Sequence, residues 1–188
     1  MRKLAMFDSV SLDGFFTSPD GDMSWLHASE PNPEWEAFVA GNASGNGALV
    51  FGRVTYQMMA GWWPTPAAAK MAPQVAAGMN AMPKYVVSRT LQEATWNNTT
   101  LLKGDLATEM SALKASPGPD LVILGSGSLV GQLTELDLID EYQVVVYPII
   151  IGSGRSLFSG VTTKRRLART EERAFGNGNV FLRYERKP

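Results

Sequence analysis

Three short stretches put residues able to hold a polyanion directly after apolar runs. Phe51 is followed by Gly52-Arg53-Val54-Thr55, Val87 by Ser88-Arg89-Thr90, and Leu124 by Gly125-Ser126-Gly127-Ser128. Leu121 to Leu124 reads as a buried strand. Leu129, Val130, Leu133 and Leu136 then fall at helical spacing, so a helix is expected to start near Ser128. A strand that turns through glycine into a helix directs free backbone N–H groups at one point, and the helix N-terminus adds partial positive charge there. Gly52 to Tyr56 is a second such junction, with an arginine and a hydroxyl in its first turn. The chemistry on offer is phosphate binding. Each stretch alone is equally an ordinary strand-to-helix turn, and an isolated arginine is usually a solvated surface residue. Together they bring two helix N-termini, two arginines and several hydroxyls to the carboxyl ends of strands, where open α/β sheets bind ligands. That set suits a ligand with several phosphates. An arginine near an adenosine ribose is also the usual means of accepting the 2′-phosphate of NADP.

Other chemistries are narrowed by what is missing. Cysteine is absent and His27 is the one histidine, which excludes disulfides, thiolate catalysis and cysteine zinc sites and leaves no histidine-based metal site. The formal net charge is −1, so no basic surplus points to nucleic acid or an anionic membrane. Hydrophobic residues make up 45% and charged residues 19%, the composition of a folded globular chain rather than a disordered one. No apolar run reaches transmembrane length, and Asp8 and Asp13 interrupt the N-terminus, which excludes a signal peptide. A cytoplasmic protein is expected.

The elements that would position these residues can be read in order. Lys3 to Val10 is an opening strand, followed by a loop with the turn cluster Pro19-Asp20-Gly21-Asp22. Asn32-Pro33-Glu34 starts a helix with Trp35, Phe38 and Val39 inward, ending near Gly41-Asn42, and Gly41, Gly45 and Gly47 form a loose connection. Ala48 to Phe51 is a second strand, and the helix after it ends at Trp62-Trp63-Pro64. Ala67 to Met82 is rich in alanine and methionine and reads as helical. Strands follow at Lys84 to Val87 and Trp96 to Leu102, then a helix over Asp105 to Ala115. Tyr142 to Tyr147 is a further strand. Leu167 to Phe175 and Val180 to Arg186, joined by Gly176-Asn177-Gly178-Asn179, form a hairpin. Alternating strands and helices with a final hairpin predict a mostly parallel sheet with an antiparallel edge, covered by helices on both faces. With 188 residues, no repeat and no linker, one domain over 1–188 is expected.

In this order and spacing the chain resembles the dihydrofolate-reductase-like superfamily, and most closely the C-terminal reductase domain of the riboflavin-biosynthesis deaminase-reductase. The stretches that carry the resemblance span nearly the whole sequence. They are Ser11-Leu12-Asp13-Gly14, Phe51-Gly52-Arg53-Val54-Thr55-Tyr56, Val87-Ser88-Arg89-Thr90, Gly125-Ser126-Gly127-Ser128-Leu129, Asp140-Glu141, and Pro148 to Gly154 followed by Leu157-Phe158. The resemblance implies a three-layer αβα fold with a mixed, mostly parallel sheet, and NADPH as cofactor. It implies that Gly52, Arg53 and Thr55 hold phosphates at a helix N-terminus, that Ser88 and Arg89 meet the 2′-phosphate, and that Gly125, Ser126, Gly127, Ser128 and Leu129 cradle the pyrophosphate. Ser9, on the first strand, would lie beside the nicotinamide. Folate reductases carry Gly-Gly at the central turn where this chain has Gly125-Ser126, which moves the match toward the riboflavin branch.

Reduction of a carbon–nitrogen or carbon–oxygen double bond also needs a proton donor. Asp13, near where the family's active site opens, is the candidate, although a turn role before Gly14 accounts for it equally well. Glu34 and Glu36 sit on the first helix but do not share a face. Trp25, His27 and Trp62 are candidates to line a substrate pocket, and Arg155 is the candidate to hold a substrate phosphate. The implied activity is NADPH-dependent reduction of a small heterocyclic, carbonyl or imine substrate, resembling 5-amino-6-(5-phosphoribosylamino)uracil reductase. Dihydrofolate reduction and a non-catalytic NADP(H)-binding module on the same fold are the alternatives. A homodimer is a further implication, consistent with the apolar final strands and the methionine-rich helix.

Two other readings fit less well. In the open dinucleotide-binding fold of the G-x-G-x-x-G type the third glycine would precede Gly131 by one position, and the motif would open the domain. A serine hydrolase would need a G-x-S-x-G elbow, which the chain lacks, and a histidine late in the chain.

Overall fold

A computed structural model describes residues 1–43 and 47–187. Gly45, expected in the loose connection, lies outside the described residues. In chain order the elements are β1 (Leu4–Ser11), β2 (Phe15–Thr17), α1 (Pro33–Ala43), β3 (Ala48–Gly52), α2 (Arg53–Trp62), α3 (Pro66–Met71), α4 (Pro73–Ala81), β4 (Lys84–Val87), β5 (Thr99–Leu102), α5 (Leu106–Ala115), β6 (Leu121–Leu124), α6 (Gly127–Glu135), β7 (Glu141–Tyr147), β8 (Arg155–Ser156), β9 (Leu167–Ala174) and β10 (Val180–Arg186). Ser24–His27 adds one turn of 3-10 helix.

The helix starts follow from local chemistry. Asn32 Oδ1 accepts from the Trp35 N–H at 2.9 Å, and Asp105 Oδ1 accepts from the Thr108 N–H at 3.0 Å, so α1 and α5 begin on side-chain caps. The helix expected over Ala67 to Met82 is two helices. Pro73 has no N–H to continue the ladder, and Ala72 leaves helical geometry at φ −142°, ψ 72°. The final hairpin closes as its turn residues predict, with Gly178 at φ 85° and the Phe175 N–H donating to Asn179 O at 2.9 Å.

Eight strands form one sheet in the order β5-β4-β3-β6-β1-β7-β10-β9. The first six are parallel, and β10 pairs antiparallel with both β7 and β9. Alternation along each strand divides the core between the two faces. Ala48 and Val50 of β3 join Leu4 and Met6 of β1 against Leu129, Val130 and Leu133 of α6 and Met110 and Leu113 of α5. Leu49 and Phe51 point the other way, against Tyr56 of α2 and Met79 of α4. On that same side, at the β7–β10 end, Trp35 and Phe38 of α1 pack on Tyr147, Phe175 and Phe181. Fully burying one side chain such as Phe51 or Leu133 contributes about 1.5–3 kcal/mol. The result is the expected three-layer αβα arrangement. The sequence reading missed the small antiparallel pair β2–β8, which lies off the main sheet and is too short to leave a periodic signal. None of the helices of the described residues is long and apolar enough to cross a membrane.

Candidate functional site

The turns after β3 and β6 meet. β3 and β6 are adjacent and parallel, so α2 and α6 start side by side at the carboxyl edge of the sheet. Gly125 and Ser126 are both left-handed, at φ 57° and 64°. In that conformation Ser126 does not cap its own helix. Its Oγ instead accepts from the Gly52 N–H at 2.9 Å and donates to Thr55 Oγ1 at 2.9 Å. One hydroxyl therefore joins the two turns. Left-handed geometry costs a residue with a Cβ roughly 1–2 kcal/mol, a cost these two bonds offset. Gly52 also caps α2 without a side chain, and neither helix has an acid in its first turn. Both N-termini thus face outward with backbone N–H groups and partial positive charge.

They open on a cleft of about 460 Å³ lined by Gly52, Arg53, Thr55, Ser88, Arg89, Ser126, Ser128 and Leu129, with Gln132 and Leu106 at its sides. Arg53 is exposed, its guanidinium donating to Gln57 Oε1 at 2.9 Å. The Ser88 hydroxyl accepts from the Thr90 and Leu91 N–H groups at 3.2 and 3.0 Å, which fixes the turn that presents Arg89. Arg89 is near Asp105, whose carboxyl is held below its usual range first by the Thr108 hydrogen bonds and last by that arginine. Gly127 does not line the cleft. It is buried, and a Cβ there would lie 2.5 Å from Phe16 Cε1, so it allows β2 to pack on α6.

A second cavity of about 430 Å³ lies behind the first. Thr55 and Ser126 line both, so the two spaces share one wall. Asp8 of β1 contributes to this cavity. The residue is only 5% exposed. One carboxyl oxygen accepts from the Ser9 N–H at 3.0 Å, and the other, Oδ2, is buried with no partner. Burial raises the carboxyl from 3.8 to about 7, partly opposed by the Ser9 hydrogen bond. A carboxyl that titrates near neutrality inside an apolar cavity can hold a proton and release it. Ser9 also lines the cavity.

The other sequence candidates fall elsewhere. Asp13 is exposed, and its carboxylate accepts from the Ile151 and Gly152 N–H groups at 3.3 and 2.8 Å. Hydrogen bonds, first from Ser11, lower its pKa, so it stays ionised and anchors the loop after β7. Trp25 is buried edge-on to Tyr147 in the aromatic cluster, while its neighbours Met23 and Leu26 reach the cavity. Trp63 lines the cavity, its Nε1 donating to Met59 Sδ at 3.0 Å, whereas Trp62 is 39% exposed and outside it. Arg155 is on β8, donating to Pro19 O at 3.1 Å, and His27 is exposed. Sequence reasoning missed Asp8, Trp63 and the methionines of the cavity wall. The available signal for Asp8 was an acid inside an apolar opening strand.

The model of the RibD C-terminal domain family matches residues 2–181. Uncharacterized protein YyaP of Bacillus subtilis (strain 168) is 25% identical over 183 residues, 97% of this chain and 94% of that protein. A Shewanella sp. PV-4 protein provisionally assigned to riboflavin biosynthesis has a structure matching all of both chains at TM-score 0.75 and 23% identity. Dihydrofolate reductase of Enterococcus faecalis, complexed with NADP(H), matches 99% of this chain and 97% of its own at TM-score 0.65 and 14% identity.

Proposed function

This chain belongs to the RibD C-terminal domain family, and from that premise we propose that it is an NADPH-dependent reductase of a small unsaturated substrate. The observation that carries the reading is the shared wall. A cleft edged by two helix starts and two arginines and an apolar cavity with a buried acid adjoin through Thr55 and Ser126. The donor set fits the cofactor: two helix starts without side-chain caps, with Arg53 beside one and Arg89 across the cleft. NADPH, when bound, supplies a hydride to the electron-poor atom of a C=C, C=N or C=O bond. Arg53, Thr55, Ser128 and the backbone of both first turns hold its diphosphate, and Arg89 with the Ser88 turn accepts the 2′-phosphate. Ser9 and Gly125 line the second cavity, the space that the nicotinamide end would enter. Asp8, rather than Asp13, delivers the proton. Its Oδ–H bond breaks as the new bond to the substrate forms, and water returns a proton to the carboxylate afterwards.

Calorimetric titration tests this. NADPH is expected to bind more tightly than NADH, and Arg53→Ala and Arg89→Ala each to weaken NADPH binding by roughly 1.5–3 kcal/mol, the range for charged hydrogen bonds. Equal binding of both nucleotides, or unchanged affinity in both variants, would reject the assignment.

A further inference from the structure

We infer that the second cavity takes an uncharged, apolar, phosphate-free ring compound with a conjugated carbonyl or imine, and that a phosphoribosyl substrate is excluded from it. The inference rests on the reductase reading and specifies its substrate class.

Charge decides the matter. Among the described residues lining the cavity only Asp8 and Arg183 carry ionisable charge. Arg183 is already neutralised. Its NH1 is 2.6 Å from Glu171 Oε2, its Nε is 3.3 Å from Glu141 Oε1, and its guanidinium lies 5.6 Å from the Phe181 ring centroid. Two carboxylates against one guanidinium leave that end of the cavity without net positive charge. Gln143, at the same end, donates its amide to Glu141 as well. A phosphate entering here would give up its hydration and find no free cation, the situation that makes burying a charge most costly. Arg155, the one sequence candidate for a substrate phosphate, is not in the wall.

The remaining wall favours the opposite kind of ligand. Five of the nine methionines line it: Met23, Met58, Met59, Met79 and Met82. Thioether chains are flexible and polarisable, and they fit flat apolar rings of varied outline. Trp63 and Phe16 supply aromatic faces. Among the described residues of this lining, two buried side-chain atoms have no hydrogen-bond partner, Asp8 Oδ2 and Arg183 Nε, the latter with Glu141 Oε1 3.3 Å away. A ligand with one or two hydrogen-bonding heteroatoms is enough for these, and a ligand with many would leave its other groups unpaired.

The test uses N-phenyl-1-naphthylamine, an uncharged dye whose emission rises in apolar surroundings, bound to the intact protein without nucleotide. The dye is expected to bind and to be displaced by 2-cyclohexen-1-one, but not by uridine 5′-monophosphate. Met58→Glu, at the half-exposed rim, is expected to weaken dye binding about tenfold or more, and Met58→Leu to leave it intact. Displacement by the nucleotide monophosphate equal to that by 2-cyclohexen-1-one would overturn the inference, as would undiminished dye binding in Met58→Glu. A parallel NADPH titration separates the two claims. NADPH binding with the wrong competitor pattern sinks the substrate class alone. The right pattern without NADPH binding sinks the reductase reading and leaves the cavity's preference for uncharged ligands.

Discussion

Asp8 carries a stability cost that its proposed role explains. Its carboxyl titrates at 3.8 in an exposed state and at about 7 in the fold because burial disfavours the anion. A raised carboxylate pKa means that the folded state holds the proton longer than the unfolded chain does. The protein is therefore expected to lose stability as pH rises from about 4 to about 7, by on the order of 4 kcal/mol at most. Asp8→Asn removes the ionisation and should flatten that slope in urea melts across this range. In turnover the wild type should lose activity as pH rises through about 7, while Asp8→Asn should be slower by roughly 100- to 10,000-fold, without that inflection. An unchanged rate in the variant would return the search for the donor to other residues. At this scale the sequence was only partly informative. The arginines and small residues of the cleft were legible because their chemistry and their position after strands agree. Asp8 was not, because a single acid in LAMFDSVS looks like an ordinary polar residue on the open side of a half-buried strand. Trp62 was chosen over Trp63 for a similar reason: at the end of a helix, phase alone decides which of two tandem residues faces inward.

At the scale of elements, the junction of α2 and α6 depends on one side chain. Ser126→Ala removes both bonds to the β3–α2 turn and keeps the left-handed backbone, so a loss of about 1–2 kcal/mol is expected. Ser126→Gly loses the same bonds but relieves the backbone, and should be the milder change by about 1 kcal/mol. Chemical denaturation of the wild type and both variants checks this: the reverse order would show that the left-handed backbone is not strained, and wild-type stability in Ser126→Ala would show that the hydroxyl is incidental. This bond also explains why serine is tolerated where folate reductases carry a second glycine. The succession of strands and helices was readable from periodicity and caps. The exceptions have physical causes: Pro73 cuts a continuous helical pattern, and β2 and β8, at three and two residues, are held by tertiary pairing rather than by their own sequence.

For the whole molecule, protection should be graded by position in the sheet. β1, β3 and β6 are central and supply Leu4, Met6, Val50 and Ile123 to the core against α5 and α6. The amides of Leu4, Met6, Val50 and Ile123 should exchange with solvent only through global unfolding, and those of Phe15 and Thr17 far earlier. Native-state hydrogen exchange by NMR measures this directly, and early exchange in β6 would place the stable core elsewhere. The long-range order of the sheet, with β6 inserted between β1 and β3, was not written in any local stretch. The family resemblance implied only a mixed, mostly parallel sheet, because strand order depends on which faces bury together and not on the sequence of any one strand.

Thr55 and Ser126, which line both the cleft and the cavity, have one more implication. If the proposed cofactor rests its phosphates on one side of these two side chains and reaches the substrate on the other, a shift of the pair caused by one ligand changes the affinity for the other. Whatever factor the nucleotide imposes on the affinity for the second ligand, the second ligand must impose on the nucleotide, because both routes around that thermodynamic cycle reach the same ternary complex. On the proposed reading the Ser126–Thr55 pair is where such a coupling would be set, and its sign would follow from how the pair settles when either side is filled.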